Sequence, residues 1–284
     1  MNIKKCLRNC AIRLFPNFYF YQLYIRYRHR WPNFKNPKDL SEIILKEVIS
    51  HEIEKFSDYA DKVEVRNYIT KWGLGNYLPK IYGVWNSVDD INFDLLPNKF
   101  VLKTNHGCGD HQFCYDKNHF NINDAKKKLH KVLSSNYGGL LEPHYALIKP
   151  KVFAEELLEE SGLTQPLDYK FMCCDGDVRF ILFCTDRGSQ GGVKFSAYSL
   201  DWTYLNDFVR GTSRCDEKHV SPPKDVLDEM IRISSIIAKK LPHVRVDLYY
   251  INGRIYIGEL TMTPASGVMS YFTNKAVEFA GHIK

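Results

Sequence analysis

The stretch VRVDLYYINGRIYIGELT at residues 244–261 consists of two apolar, strand-like runs on either side of Asn252-Gly253. Asn-Gly between two such runs is a strong signal for a β-hairpin. The two runs carry a pair of carboxylates and an arginine, so the register of the hairpin decides which of these side chains share a face. This stretch therefore predicts both a local fold and a charged site.

Two registers are open for this hairpin. A two-residue Asn-Gly turn pairs Val246 with Glu259 and places Asp247 on the opposite face. A three-residue loop instead ends in a left-handed Gly253 within a β-bulge. In that register Arg245 pairs with Glu259, and Asp247 lies on the same face. We expect the second register, because only that one allows the two carboxylates to share a metal.

The acids of this hairpin suit magnesium when they share a face. Mg²⁺ prefers octahedral oxygen coordination and is commonly held by one or two protein carboxylates together with phosphate oxygens. Asp247 and Glu259 are therefore predicted metal ligands. Arg245 is predicted to neutralise phosphate, because its planar guanidinium matches an oxyanion. The alternative is an exposed face with an ordinary ion pair, which would contribute roughly 0–1 kcal/mol.

A second charged segment, FVLKTNHGCGD at residues 100–110, places Lys103 near the end of a strand-like run. The loop that follows contains Gly107 and Gly109, and glycine lets backbone N–H groups approach an anion closely. The lysine and the loop are together typical of a phosphate-binding cradle. Because the lysine precedes the glycines, this is not a Walker A loop. The simpler alternative is a hairpin turn beside a solvated lysine.

Two further strand-like runs carry charges between these segments. Glu155 and Glu156 end one run, and alternation places them on opposite faces, so at most one lines a given cleft. Lys170 lies in the next run and is either a second phosphate ligand or a charge at a strand edge.

The apolar pattern along the chain predicts a mixture of helices and strands. Residues 39–72 show the 3.6-residue period of helices, with Ser41 and Ser57 as predicted N-caps. Further helices follow Asn123 and Pro223. Strands mixed with helices and joined partly by hairpins predict α+β lobes rather than one doubly wound sheet. The predicted strands are residues 100–104, 151–157, 169–174, 178–185, 244–250 and 254–261.

The positive charge of the chain is concentrated in residues 1–38, which hold nine Lys or Arg and no acid. Because the whole chain carries +6, the remaining residues sum to −3. A slightly negative body argues against nucleic-acid binding. This basic aromatic arm either lies on an anionic membrane surface or forms a helix docked on the body. Polar residues interrupt its apolar run, so it cannot span a bilayer.

The cysteines predict a reducing compartment. They contain no CxxC pair, and adjacent cysteines in a strand point to opposite faces, so no zinc site is expected. We interpret them as reduced thiols that fill the interior of a cytoplasmic protein. The eight residues are Cys6, Cys10, Cys108, Cys114, Cys173, Cys174, Cys184 and Cys215.

Taken in order, these segments resemble the TupA-like ATP-grasp family, named for teichuronopeptide biosynthesis, within the ATP-grasp superfamily. The resemblance extends over about residues 40–270. The stretches that carry it are YADKVEVR (59–66), YLPKIYGVW (77–85), LPNKFVLKTNHGCG (96–109), AEE (154–156), DYKF (168–171), VRVDL (244–248) and GELT (258–261), with Pro264 and Gly267.

The resemblance implies an α+β ATP-grasp fold in which two lobes enclose ATP, preceded by a mainly helical N-terminal lobe that helps to bind the acceptor. Residues 1–38 would form the arm and residues 39–95 the acceptor-side lobe. Residues 96–160 would form the first ATP-grasp lobe, and residues 161–284 the second lobe with the metal site.

The resemblance also implies roles for single residues. Asp247, Glu259 and Thr261 would ligate Mg²⁺, although many ATP-grasp enzymes have asparagine where Thr261 stands. Lys62 or Arg66 would orient an acidic acceptor, with a helix-surface pair as the alternative. Arg245 and Lys103 would act in catalysis. Residues that would bind ATP are Lys103, Asn105, His106, Gly107 and Gly109 of the closing loop, Glu155, Glu156 and Leu157 of the adenine and ribose hinge, and Lys170.

The chemistry implied is ATP-dependent ligation of a carboxylate to an amine through an acyl phosphate. The family context suggests a uronic-acid sugar of a surface polysaccharide as acceptor, such as capsule, O-antigen or teichuronopeptide. One alternative is a glycosyltransferase-like enzyme, although Asp175-Gly176-Asp177, its only DxD spelling, is more typical of a turn. Another is a membrane-peripheral scaffold with a degenerate ATP site.

Overall fold

The computed structural model describes residues 15–107, 109, 111–135, 137–159, 166–185 and 192–281. The first fourteen residues of the basic arm, with Cys6 and Cys10, lie outside the described residues. So do Cys108 and Asp110 of the glycine loop.

The described chain is a mixture of α-helices and antiparallel strands. The helices are α1 (Pro16–Arg28), α2 (Leu40–Ile49), α3 (Ser57–Ala60), α4 (Val65–Lys71), α5 (Ile122–Leu133), α6 (Lys224–Ala238) and α7 (Asn274–Ala280). The strands are β1 (Ile81–Trp85), β2 (Phe100–Thr104), β3 (Gln112–Cys114), β4 (Val152–Glu155), β5 (Asp168–Cys174), β6 (Asp177–Thr185), β7 (Lys194–Tyr198), β8 (His243–Ile251) and β9 (Arg254–Thr261).

The strands form two separate antiparallel sheets. The small sheet has the order β1-β4-β2-β3, and the large sheet has the order β7-β6-β5-β8-β9. Helix α5 contacts β2 of the small sheet, whereas α6 contacts β5, β6 and β8 of the large one. The predicted α+β arrangement is confirmed, as is the turn at Asp175-Gly176, which joins β5 to β6 with Cys174 opposite Asp177.

The N-terminal helices share their hydrophobic core with the large sheet. Ile44 and Leu45 of α2 are fully buried in the same cluster as Phe171 and Val246 of the strands. The small sheet encloses a core of its own, which includes Phe100, Leu102 and Leu129. The cleft between the two cores is therefore bordered by both sheets and by the helical segment.

The predicted caps of this helical segment are wrong. Asp39, not Ser41, caps α2, because its carboxylate accepts a 2.8 Å hydrogen bond from the Glu42 backbone. Ser41 is buried and donates to the Val268 carbonyl at 3.2 Å. Ser57 is the first residue of α3 and makes no capping bond.

Helix α1 docks on the body through one face. Phe20, Tyr24 and Arg28 recur every four residues and are buried. The Arg28 guanidinium donates to the carbonyls of Phe272 (2.8 Å) and Met269 (3.1 Å), and also to that of Val268. These acceptors end a loop in which Ala265 and Ser266 have positive φ, a costly conformation for residues other than glycine. Arg28 thus fastens the arm to a strained loop.

Within the described residues, none of the helices combines the length and apolarity that a membrane span requires. The described cysteines carry no disulfide bond, and Cys114, Cys173, Cys174 and Cys184 are buried.

Candidate active site

The β8–β9 hairpin has a register that neither predicted alternative describes. The turn is the two-residue Asn252-Gly253, with Ile251 opposite Arg254 and positive φ at both turn residues (49° and 79°). The expected three-residue loop is therefore wrong. The ladder shifts by one residue at Gly258, so that Leu248 faces Ile257 whereas Asp247 faces Glu259.

This bulge brings the charged residues of the hairpin to one face. Asp247 lies opposite Glu259, and Arg245 lies opposite Thr261. Side chains directly opposite each other on an antiparallel ladder are about 5 Å apart. The predicted grouping of Arg245, Asp247 and Glu259 is thus correct, although a bulge within β9 produces it rather than one at the tip.

Asp247 lies at the centre of this face. Its carboxylate accepts two hydrogen bonds from Arg245, at 2.6 and 2.7 Å, and one from Lys170 on the neighbouring strand β5. Burial alone would raise the pKa of Asp247, but the two cations lower it to about 2. Asp247 is therefore an anion at neutral pH. Arg245 also donates to the Thr261 hydroxyl at 3.0 Å.

Lys170 has a second buried counter-ion, which was not among the predicted site residues. Asp168 precedes it by two residues on β5, and its carboxylate lies 2.7 Å from the Lys170 ammonium. Strand alternation places the two side chains on one face. Asp168 could have been found from this spacing once Lys170 was considered a buried cation, because a buried lysine needs an acid close by.

Glu259 is joined to the glycine loop through Lys62. The Lys62 ammonium lies 3.2 Å from the Glu259 carboxylate and donates to the Gly107 carbonyl at 2.7 Å. Burial opposes ionisation of Glu259, but Lys62 holds the pKa of this carboxyl below its usual value. Lys62 thus connects the helical segment, the loop and the acid pair.

The small sheet supplies a second charged cluster. Glu155 on β4 lies 2.5 Å from the Lys103 ammonium on β2 and 3.1 Å from the Arg66 guanidinium on α4. Arg66 also donates to the Pro79 carbonyl. Glu156 points elsewhere, as alternation predicts, and accepts from the Lys80 backbone at 3.1 Å.

A cavity of about 310 Å³ separates the two clusters. The large sheet contributes Arg245, Asp247 and Glu259 to its lining, the small sheet contributes Lys103 and Glu155, and the helical segment contributes Lys62 and Arg66. Gly109 and His111, on either side of undescribed Asp110, also line it. Most of the charged residues selected from the sequence thus surround one space.

Several predicted nucleotide-binding residues have structural partners. The Asn105 side chain donates to Asp61 (2.7 Å) and to the Lys149 carbonyl (3.1 Å), which fixes the start of the glycine loop. His106 is buried. Glu156 and Leu157 follow the β4 strand outside the cavity lining. Their assignment to the nucleotide stays a prediction.

Glu142 is another acid beside the hairpin, and it too was not among the predicted site residues. It accepts a 2.9 Å hydrogen bond from Thr263, two residues after β9. Burial raises the pKa of Glu142, and the charge of Glu259 adds to this shift. No sequence signal identifies it, because it lies in a loop more than a hundred residues from its partner.

The hairpin fits a magnesium ion in its chemistry. Asp247, Glu259 and Thr261 present two ionised carboxylates and a hydroxyl on one face, and oxygen donors are what Mg²⁺ prefers. Among the described residues no group of three or more His, Cys, Asp or Glu is arranged to hold a metal ion. A metal here would thus need further oxygens, such as those of phosphates.

Comparison with known families identifies the family to which the chain belongs. The model of the TupA-like ATP-grasp family matches residues 39–282. The chain therefore belongs to the TupA-like ATP-grasp family and has its α+β fold. No curated protein sequence matches the chain significantly.

Several solved structures are similar to the chain. D-alanine–D-alanine ligase from Bacillus anthracis complexed with ATP has a TM-score of 0.44 and 16% identity, covering 79% of this chain and 57% of that one. The same enzyme from Helicobacter pylori has a TM-score of 0.43 and 16% identity, covering 80% and 61%. ATP-grasp ligase PsnB complexed with minimal precursor has a TM-score of 0.43 and 11% identity, covering 86% of this chain and 63% of that one. This chain thus spans about 60% of the length of those proteins.

Proposed function

We propose that this chain is an ATP-dependent, magnesium-dependent ligase that joins a carboxylate to an amine. The observation that carries the proposal is the cavity of about 310 Å³ in which the acids of the β8–β9 hairpin face the cations Lys62, Arg66 and Lys103. A triphosphate and a carboxylate acceptor both need such cations, and a divalent ion needs the acids.

Both charged clusters contribute to the proposed nucleotide and metal sites. We assign the ATP phosphates to Lys103, Lys170, Arg245 and the glycine loop. The segment 155–157 is assigned to the adenine and ribose. Bound Mg²⁺ would neutralise phosphate charge, and Asp247, Glu259 and Thr261 would hold it. Phosphate would compete with Asp247 for Lys170 and Arg245, which would leave the carboxylate available as a ligand.

The acceptor carboxylate is assigned to Arg66 and Lys62, which line the cavity from the helical segment. A carboxylate oxygen of the acceptor attacks the γ-phosphorus, the bond to the β-phosphate oxygen breaks, and ADP leaves. The amine nitrogen then attacks the acyl carbon, phosphate leaves, and the nitrogen loses a proton. Positioning and charge neutralisation by the chain are the main contributions, because phosphoryl transfer needs little covalent help.

The proposed acceptor class rests on the family resemblance. We propose a uronic-acid sugar, free or attached to a carrier, in biosynthesis of a surface polysaccharide such as capsule, O-antigen or teichuronopeptide, and we place the enzyme in the cytoplasm. The name of the matched family supports the first point. The buried cysteines without disulfide bonds support the second.

The test is an assay of ADP and amide formation by the full chain with Mg-ATP, a panel of uronic acids and a panel of amines. We expect ADP release to depend on both substrates. Asp247→Asn should lower the rate by roughly a hundredfold or more, because it removes a preorganised charge from the site. Asp177→Asn, at a half-exposed side chain beside the β5–β6 turn and outside the cavity lining, is the matched control and should retain full activity.

Thermal denaturation separates the rival functions. Mg-ATP should raise the melting temperature, because a ligand that binds only the native state stabilises it. Stabilisation by a UDP-sugar but not by ATP would support a glycosyltransferase-like enzyme. Stabilisation by ATP without turnover on any panel would support a scaffold with a degenerate site. Equal ADP release by the wild type and Asp247→Asn would refute the assigned site.

A further inference from the structure

Helix α1 lies outside the part of the chain that matches the family model, which begins at residue 39. The exposed residues Phe18 and Arg26 and the N-cap residue Phe15 lie on its outer side, and Trp31 follows its end. Phe15, Phe18 and Trp31 are 66%, 59% and 75% exposed. Phe15 and Phe18 are neighbours on one side of the helix by their i, i+3 spacing, and exposed apolar patches mark interaction sites.

The inner side of α1 makes this surface a rigid one. Phe20 and Tyr24 are buried in the main core, and Arg28 is fixed by three carbonyls of the 268–272 loop. Arg210 adds a 2.7 Å hydrogen bond to the Tyr27 carbonyl. The outer rings are thus held away from the body. A partner can cover them without disturbing the core.

The charge of residues 1–38, the segment of sequence that includes α1, indicates what the partner is. Residues 1–38 hold nine cations and no acid. Arg28 is buried, and Arg30 forms ion pairs with Asp39 and Glu278. The other seven cations give the segment a strong excess of positive charge. They are Lys4, Lys5, Arg8 and Arg13, which precede the described residues, and Arg26, Lys35 and Lys38.

We propose that the outer face of α1, with Phe15, Phe18 and Arg26, binds the surface of an anionic lipid bilayer together with the exposed Trp31 that follows the helix. Aromatic rings favour the boundary between headgroups and acyl chains, and cations are attracted to anionic headgroups. The helix lies on the bilayer and does not cross it. A second copy of the chain is a poor occupant, because a twofold contact would oppose two segments of the same charge.

The experiment measures binding of the full chain to lipid vesicles by sedimentation. Vesicles of phosphatidylcholine alone are compared with vesicles that contain about 30% phosphatidylglycerol, at about 0.1 M and about 0.5 M salt. We expect binding to the anionic vesicles, with at least roughly tenfold lower affinity for the neutral ones and at the higher salt. No binding to anionic vesicles at low salt would overturn the proposal.

The double variant Phe15→Ser/Phe18→Ser tests the rings. Phe15 is the N-cap of α1, and serine is a favoured N-cap, so the helix should persist. We expect roughly a tenfold or greater loss of vesicle affinity. Tyr115→Ser removes a ring of similar exposure (54%) next to strand β3 of the small sheet, and this variant should bind vesicles normally. Equal losses in both variants would contradict the assignment to α1.

The cations are tested by Arg26→Gln, for which we expect roughly fivefold weaker binding to anionic vesicles. Lys128→Gln, on the exposed side of α5, is the matched control. Size-exclusion chromatography of the Phe15→Ser/Phe18→Ser variant tests whether the partner is instead a second copy of the chain. Conversion of a dimer to a monomer with unchanged vesicle binding would assign the face to a second copy and overturn the lipid proposal.

Discussion

Two buried carboxylates, one on each sheet, are each held by one arginine and one lysine. Asp247 of the large sheet contacts Arg245 and Lys170, and all three lie on neighbouring strands β8 and β5. Glu155 of the small sheet contacts Lys103 on β2, but its arginine comes from helix α4. The first cluster is built within one sheet, whereas the second joins a sheet to a helix.

The difference shows what fixes each cluster. Strand register alone sets the partners of Asp247, whose side chain is 3% exposed. The partners of Glu155, which is 8% exposed, also depend on how α4 docks against the small sheet. We therefore expect the Asp247 cluster to be the rigid side of the cavity and the Glu155 cluster to be the side that adjusts.

The largest effect is expected for the stability of Asp247→Asn. The substitution leaves Arg245 and Lys170 buried with less opposing charge, and breaking a buried ion pair in this way costs about 3–5 kcal/mol. Urea denaturation gives the free energy of unfolding. Asp177→Asn should change it by less than about 0.5 kcal/mol. A loss no larger than that of Glu155→Gln would remove the distinction between the clusters.

The pH dependence of stability is the next largest effect. The pKa of Asp247 is about 2 in the folded protein and near its ordinary value when unfolded. A depressed carboxyl pKa stabilises the fold above the unfolded pKa, and this stabilisation is lost as the pH falls from about 4 to about 2. We expect about 2 kcal/mol of stability to disappear over this range. In urea denaturation at a series of pH values, Asp247→Asn should lack this loss of unfolding free energy, whereas Asp177→Asn should still show it.

A smaller effect is expected at the bulge. A methyl group on Gly258 would lie 2.4 Å from the Tyr249 ring, so Gly258→Ala must displace this ring within the cavity wall. We expect a loss of about 1–2 kcal/mol in unfolding free energy and weaker Mg-ATP binding. In a Tyr249→Ala background the same change should cost almost nothing. Additive costs in this double-mutant cycle would show that the ring is not the obstacle.

The smallest effect is expected for Glu155→Gln. Lys103 and Arg66 are partly exposed, so water can solvate them when the carboxylate is neutralised. We expect a loss of about 1 kcal/mol in unfolding free energy. Glu156→Gln, beside it but outside the cavity, is the control and should be near neutral. A loss above about 3 kcal/mol would mean that the helix and sheet are joined as rigidly as the strands.

The sequence was sufficient for the elements with strong local signals. The existence of the β8–β9 hairpin, of strand β2 and of helix α6 follows from turn chemistry and apolar periodicity. The register of the β8–β9 hairpin was harder to predict. An Asn-Gly turn favours a two-residue loop, but with regular pairing that loop would put Asp247 and Glu259 on opposite faces. The bulge at Gly258 reconciles the two-residue loop with a shared face, and an isolated glycine within a strand pattern is a signal for such a bulge.

Other features could not be predicted because they depend on distant partners. Strands β1 and β3 are short and half exposed, so their apolar pattern is weak. The cap at Asp39 competed with an equally good serine two residues later, and burial against the 268 loop decided between them. The contacts of Lys62 and Glu142 join segments far apart in sequence, and no periodicity reports such contacts.

Arg28 also has a consequence for the order of events during synthesis. Its guanidinium donates to the carbonyl of a residue 244 positions later in the chain. At 5–20 residues per second, the ribosome needs roughly 10–50 s to make that partner after Arg28 has been added. Through this interval α1 has no finished site on the body, so its docking is a late step of folding.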